Sequence, residues 1–301
     1  MSIKVLLTGH TGYIGAFLAA YLRNHGVSVF TAGRCFSSDY YFDYIADSSI
    51  STLSQCPNID VIIHLATANE VLCRENSIIA KKLTVDGTQC LINFSQAKKV
   101  DKFIYISTFH VFGSNTGLLD ESVEPRPINF YGTNHLNTEK IVLSSKSLDT
   151  LVLRPSNLIG LPYNWRTFNR WTLAPFDFIK QAYLYKTISL KTHGRQIRNW
   201  ASMDSLCQAI LYKISGKLNA HLVHVPGQDL SILDLAKLVK SYYASSRHTP
   251  IKIQTPLDYV DLTESVRIFK SSLPMNTTMP DFDSFIASVT NQLQTTIDTH
   301  S

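Results

Sequence analysis

The chain has little of what would mark a secreted, membrane or metal-ordered protein. Its five cysteines, Cys35, Cys56, Cys73, Cys90 and Cys207, are odd in number and include no C-x-x-C pair. This argues against a disulfide framework and against a zinc site, and it fits a reducing cytoplasm with no metal. No apolar run is long enough to span a bilayer. The N-terminal stretch "MSIKVLLTGH" reaches Gly9 too soon for a signal-peptide core. Internal repeats and low-complexity tracts are absent. Charge bias is also small. A formal net charge of +5 makes no case by itself for nucleic acid or a membrane surface as partner. Basic residues do gather between Leu161 and Trp200, where Arg166, Arg170, Lys180, Lys186, Lys191, Arg195 and Arg198 meet one acid, Asp177. That run reads either as a solvated face or as a pocket for a phosphate-bearing substrate.

What is present is ordinary globular material, 45% hydrophobic and 17% charged over 301 residues. That suffices for one large domain or two smaller ones. "IKVLLTG", "VSVFTAG", "DVIIHLAT", "DKFIYIST" and "DTLVLRPSNLIG" read as buried strands, the last with its exit loop. Helical patterns separate them: "GAFLAAYLRNHG", with Gly26 as C-cap, then "LTVDGTQCLINFSQAKKV" and "YGTNHLNTEKIVLSSK". Strands alternating with helices predict an α/β fold, a doubly wound parallel sheet covered on both faces. After Gly160 the pattern loosens. Helices are expected in "APFDFIKQAYLYK", "SMDSLCQAILYKI", "SILDLAKLVKSYY" (N-capped by Ser231) and "FDSFIASVTNQL", and a strand in "LVHVPG".

"TGHTGYIG" lies between the first strand and the first helix. Gly9, Gly12 and Gly15 leave room for a tight turn, for close approach of a pyrophosphate and for close helix–strand packing. The helix start favours the phosphate charge. His10, Thr11, Tyr13 and Ile14 of the same loop are expected at the cofactor. The end of the second strand selects the dinucleotide: an acid suits NAD, an arginine NADP. Here the position holds Gly33 followed by Arg34, with no acid until Asp39, so NADP is expected ahead of NAD. In "FYGTNH", Tyr131 and His135 fall on one helix face.

Taken in order, "TGHTGYIG", "HLAT", "ISTFHVFG", "FYGTNH", "LRPSNLIG" and "GRQIRNWASMDSL" make the chain resemble the extended short-chain dehydrogenase/reductase superfamily. Its members include nucleotide-sugar epimerases, dehydratases and reductases. The resemblance runs from about residue 3 to about 240. It implies a Rossmann-like dinucleotide-binding domain over residues 1–160. It also implies a smaller, mostly C-terminal α/β substrate-binding lobe over 161–301, with elements near 195–225 returning to the sheet. Thr108 would polarise the substrate oxygen and Tyr131 would exchange the proton. Leu65, Ala66, Thr67 and Thr84 would line the cofactor, with Asp43 near the adenine. Asn157 and Arg198 would contact the nucleotide diphosphate of the substrate, and His110 would face the substrate.

Two positions depart from the family pattern. The lysine four residues after the tyrosine is His135, and the small residue after "HLA" is Thr67. Lys140 cannot substitute, because nine residues rotate it by roughly 900° to the opposite face of the helix. With an ordinary histidine pKa near 6.5, His135 would be a part-time cation for Tyr131, and reduction would be fastest below about pH 6.5. The 4,6-dehydratases of the superfamily carry an acidic pair after the threonine, whereas this chain has Phe109 and His110. The expected activity is therefore NADPH-dependent reduction of a nucleotide-linked 4-keto sugar for cell-surface polysaccharide or glycoside synthesis. A nucleotide-sugar epimerase is the alternative. A dinucleotide-binding protein with impaired catalysis is the alternative from another class. The resemblance also implies a homodimer built on the helices near 85–98 and 132–147.

Overall fold

The computed structural model describes residues 2–43, 52–256, 267–273 and 278–298. Its centre is a seven-stranded parallel sheet in the order β11-β7-β5-β4-β1-β2-β3. The strands are β1 (Lys4–Thr8), β2 (Ser28–Gly33), β3 (Tyr40–Tyr41), β4 (Val61–His64), β5 (Lys102–Ile106), β7 (Asp149–Pro155) and β11 (Leu222–Val225). Val5, Leu6 and Leu7 of β1 are fully buried, as are Ile62 and Ile63 of β4. Both faces of these strands are covered, which is why the sequence reads as unbroken apolar runs rather than alternation.

The chain runs outward from β1 through β2 to β3, then returns to build β4, β5, β7 and β11 on the other side. The reversal at β1/β4 opens a crevice beyond the carboxyl ends of the strands, where ligands bind in sheets of this kind. The Tyr13–Asn24 helix follows β1 and ends in a Schellman turn. Val27 N–H bonds Leu22 C=O at 3.1 Å, and Gly26, at φ 76°, bonds Arg23 C=O at 3.0 Å. The Met203–Ile214 helix packs beside it in one apolar cluster. Late chain thus returns to the large sheet through this helix and β11.

The exit from β7 is more structured than a loop. After Ser156 the chain enters β8 (Asn157–Ile159), which joins a second sheet of order β12-β10-β8. β10 is Ile197–Ser202 and β12 is Gln228–Ser231. Trp200 pairs with Asn157 within this second sheet, and both residues line the cleft. Around this second sheet, the helices Ala174–Tyr185, Ile232–Arg247 and Phe282–Asp298 share a separate core with Phe176, Ile179, Val239 and Ile286. Ser231 caps its helix through a 3.0 Å bond from Asp234 N–H.

The Phe130–Ser144 helix is anchored by charge as well as by the apolar packing of Val142. Arg154 of β7 donates to both carboxylate oxygens of Glu139, Nε at 2.9 Å and Nη2 at 2.6 Å. Ser107 Oγ donates to the same carboxylate. Glu139 is 1% exposed and Arg154 3%. Removing one partner leaves the other as an uncompensated buried charge. Glu139→Gln should therefore lower the free energy of unfolding by about 3–5 kcal/mol in urea titration, and a paired Glu139→Leu/Arg154→Met variant should lose less than either single change.

Candidate active site

The glycine loop is a tight turn packed against the protein's own backbone. Gly9 has φ 76°, and a Cβ there would stand 2.9 Å from Ala66 N. A Cβ on Gly15 would stand 2.1 Å from Gly9 O. Gly12 caps the first helix without a side-chain bond, so the leading amides remain available to an anion. On one side of the loop lies a cavity of about 510 Å³ lined by Gly9, His10, Thr11, Gly33, Arg34 and Thr67 among others. On the other lies a cavity of about 610 Å³ that includes Tyr13, Ile14, Thr108, His110, Tyr131 and Asn157. The two compartments share Gly9 and Thr67, an arrangement that suits the two halves of a dinucleotide.

The first compartment has few partners for its polar groups. Neither ring nitrogen of His10 has a hydrogen-bond partner, and neither has Ser38 Oγ. Both side chains approach Gly33. Asp39, the nearest acid, is turned back to β2: its carboxylate accepts from Thr31 N–H and Thr31 Oγ, both at 2.8 Å. Three residues expected at the cofactor, Asp43, Thr84 and His135, line neither cavity. Phe42, not Asp43, forms the wall. Thr84 is buried behind it, where its hydroxyl accepts from Ala68 N–H at 3.0 Å. Leu65 and Ala66 do line the cleft.

In the second compartment Thr108 and Tyr131 line the same wall, close enough for the Thr108 hydroxyl to act on the Tyr131 phenol. Burial pushes the Tyr131 phenol well above its ordinary value. The Glu70 carboxylate adds to this, while Thr108 and the Arg170 guanidinium oppose it. Arg198 and Asn157 line the same cavity, and Asn157 is held by a 2.9 Å bond to Asn199 C=O. His110 faces Tyr131 with ring centres 5.6 Å apart and lies 3.8 Å from Glu70. Glu70 and Arg170 carry no motif of their own. Glu70 comes from the start of the Glu70–Glu75 helix, and only the three-dimensional fold places it here.

His135 departs from expectation. It packs edge-on against Tyr131 with ring centres 4.5 Å apart, but it is 2% exposed and burial lowers its pKa to about 3. His110 and His64 push it in the same direction. It is a neutral ring at neutral pH, not a part-time cation. His64, also fully buried, is lowered to about 3 by burial as well. Its tautomer follows from its neighbours. Thr88 Oγ donates to Thr84 C=O at 2.5 Å, so it accepts from His64 Nε2 at 2.9 Å. Nδ1 then accepts from Thr8 Oγ at 2.7 Å.

A folded-state pKa depressed from 6.5 to about 3 makes the unfolded chain bind more protons between those values, so stability falls as pH falls. Each fully shifted histidine contributes about 1.4 kcal/mol per pH unit in that window. The urea midpoint should drop steeply from pH 6.5 to 4, and His64→Asn or His135→Asn should each flatten the slope.

A model of the NAD dependent epimerase/dehydratase family matches residues 5–221. The chain is 28% identical over 221 residues to a GDP-6-deoxy-D-talose 4-dehydrogenase of Aggregatibacter actinomycetemcomitans, covering 72% of this chain and 71% of that protein. It is 27% identical over 275 residues to a dTDP-D-glucose 4,6-dehydratase of Dictyostelium discoideum, covering 78% and 61%. Among solved structures, RMD from Pseudomonas aeruginosa complexed with NADPH superposes with a TM-score of 0.79 at 18% identity, over 98% of this chain and 99% of that one. UDP-glucuronic acid 4-epimerase from Bacillus cereus, in complex with UDP-glucuronic acid and NAD, gives 0.77 at 21% identity, over 97% and 99%.

Proposed function

The chain belongs to the NAD-dependent epimerase/dehydratase family, and we propose that within it the chain reduces the ketone of a nucleoside-diphosphate 4-keto sugar, with NADPH as preferred reductant. One observation carries this reading. Tyr131 is a half-buried, protonated phenol on the cavity wall, and its helix neighbour His135 brings no charge. Ketone reduction begins with the acid form of the tyrosine. Epimerisation that starts by oxidation needs the phenolate first, and nothing at position 135 stabilises it. When bound, the nicotinamide supplies a hydride to the ketone carbon. Tyr131 gives its proton to the ketone oxygen, while Thr108 holds that oxygen by a hydrogen bond. Asn157, Arg170 and Arg198 line the substrate side and are suited to a diphosphate. The Aggregatibacter relative supports the reading: a 4-dehydrogenase of a nucleotide-linked 6-deoxy sugar interconverts the same two functional groups.

The choice of NADPH rests on Arg34, on the lack of an acid at Gly33, and on Asp39 being engaged with Thr31. A charge-assisted bond from Arg34 to the extra phosphate is worth on the order of 1.5–3 kcal/mol, roughly tenfold or more in affinity. His10 and Ser38 offer polar atoms at the same place. We expect a cytoplasmic homodimer. No helix among the described residues is long and apolar enough to cross a membrane, and no disulfide forms. Leu143, on the outer side of the Phe130–Ser144 helix, is 39% exposed.

The test is nicotinamide absorbance with NADPH and a panel of nucleotide 4-keto sugars. NADPH should be consumed, and Tyr131→Phe should slow the reaction by roughly 10²–10⁴-fold. The rate should be flat from about pH 6.5 to 9, since His135 titrates near 3 and Tyr131 above its ordinary value. In calorimetry, NADPH should bind more tightly than NADH, and Arg34→Ala should remove the difference. Intact NADPH binding with no turnover of any keto sugar would leave a dinucleotide-binding module instead.

A further inference from the structure

Tyr13 is where two cores of the molecule meet. It opens the first helix directly after Gly12, so its backbone N–H is one of the leading amides left available to an anion. Its side chain reaches the elements around the second sheet. Among the described residues, it alone packs against both the apolar cluster of the large sheet and that of the second sheet. The hydroxyl donates to Gly160 C=O at 2.5 Å, across 147 positions of sequence. The ring lies edge-on to Phe168 and Phe176, with centres 5.6 and 5.8 Å apart.

Those contacts hold one stretch of chain. Residues 161–173 lead from β8 toward the Ala174–Tyr185 helix and form no helix or strand of their own. The stretch starts from Gly160, which is clamped. Tyr13 bonds its carbonyl, and a Cβ there would stand 2.7 Å from Met203 Cβ. Its middle is an aromatic cluster. Trp165 and Trp171 stack with centres 5.9 Å apart, and Phe168 meets both edge-on, at 5.8 and 5.2 Å. Beside Phe168, Asn169 and Arg170 line the substrate compartment, and Arg170 is near enough to act on the Tyr131 phenol. The backbone of Tyr13 thus belongs to the glycine loop, while its phenol fixes the start and the middle of a strap that carries groups of the substrate side.

We propose that Tyr13 couples the two ligand sites: a dinucleotide seated on the glycine loop orders Tyr13, Tyr13 holds the 161–173 strap against the cleft, and the nucleoside diphosphate of the sugar then binds more tightly. Tyr13 is a positioning residue, and the inference rests on the reading of the cleft given above. The physical basis is ordering. Holding a stretch without regular structure in one place costs conformational entropy. A ligand that has already met that cost leaves less for the next, which is positive cooperativity that needs no contact between the two ligands. A phenol suits the role. Its rigid ring is fixed by packing, and its one proton fixes the tip on Gly160.

Calorimetry on the full chain measures the coupling. The probes are NADP⁺ with UDP, GDP or dTDP, which carry the diphosphate but no sugar to react. NADP⁺ should tighten the best-bound diphosphate roughly five-fold or more, and that diphosphate should tighten NADP⁺ by the same factor. In hydrogen–deuterium exchange, residues 161–173 should gain protection when NADP⁺ alone is added. Tyr13→Phe keeps the ring and loses the Gly160 bond, and Phe168→Leu alters the strap side. Both should lower the coupling factor, whatever they do to each affinity taken alone. Tyr243→Phe is the control. It removes a hydroxyl that meets Thr290 Oγ at 3.1 Å in the same second core, and it should keep the coupling. Equal diphosphate affinities with and without NADP⁺ in the wild type overturn the proposal and leave the reduction standing. Full coupling in Tyr13→Phe overturns it as well. So does an equal loss in Tyr243→Phe, which would make the coupling a property of the whole core. A wild type that binds neither NADP⁺ nor any of the diphosphates refutes the reading of the cleft and the proposal with it.

Discussion

The buried pair of Glu139 and Arg154 is the constraint from which the site geometry follows. Tyr131, His135 and Glu139 are spaced by four, so they form one stripe along the helix facing the sheet. Glu139 lies about 12 Å from Tyr131 along the helix axis. Its carboxylate is fixed by Arg154 on β7 and by Ser107, the residue before Thr108. The same carboxylate therefore sets the rotation of the helix that presents Tyr131 and the end of the strand that presents Thr108. The pair is expensive to desolvate, and a hydrophobic pair could match its stability. What it provides is a definite distance between two hydroxyls.

Around that pair the interior is polar but uncharged. Thr8, His64, Thr88 and Thr84 form a continuous set of hydrogen bonds from the glycine loop toward Thr138 on the Tyr131 helix. The charges sit at the rim: Arg34 on one side, Arg170, Arg198 and Glu70 on the other. A dinucleotide and a sugar diphosphate carry their charges at their phosphates and their neutral parts at the reacting ends. The cleft has the complementary distribution.

Much of this was legible in the sequence, for identifiable reasons. The glycine loop, the five main strands and the helix carrying Tyr131 depend on local patterns, and local patterns survive folding. Thr108 and Tyr131 share a cavity as their motifs implied. The charge state of His135 was not legible. The spacing placed it beside Tyr131, but its neutrality depends on burial and on the His110 and His64 rings, brought to it from other elements. Glu70 was missed for a similar reason, since a glutamate at a helix start reads as an ordinary first-turn acid. The strand after Ser156 was read as a loop because three residues carry no period, and its partner in β10 lies about forty residues away.

The helical run that precedes β5 contains a π turn, Lys82–Asp86, between Ser77–Lys81 and Gly87–Ala97, which holds one residue more than an α turn would. Its consequence concerns how such a chain can change by insertion and deletion. The wide turn leaves Thr84 C=O open to two side-chain hydroxyls, those of Thr88 and Thr138. Losing any single residue from the turn would relax it to regular α-helix and rotate everything before it by about 100°. Thr84 would swing off Ala68, and the loop from His64 to Glu70 would lose its inner contact. A one-residue deletion here, silent in a surface helix, would reshape the wall between both halves of the cleft.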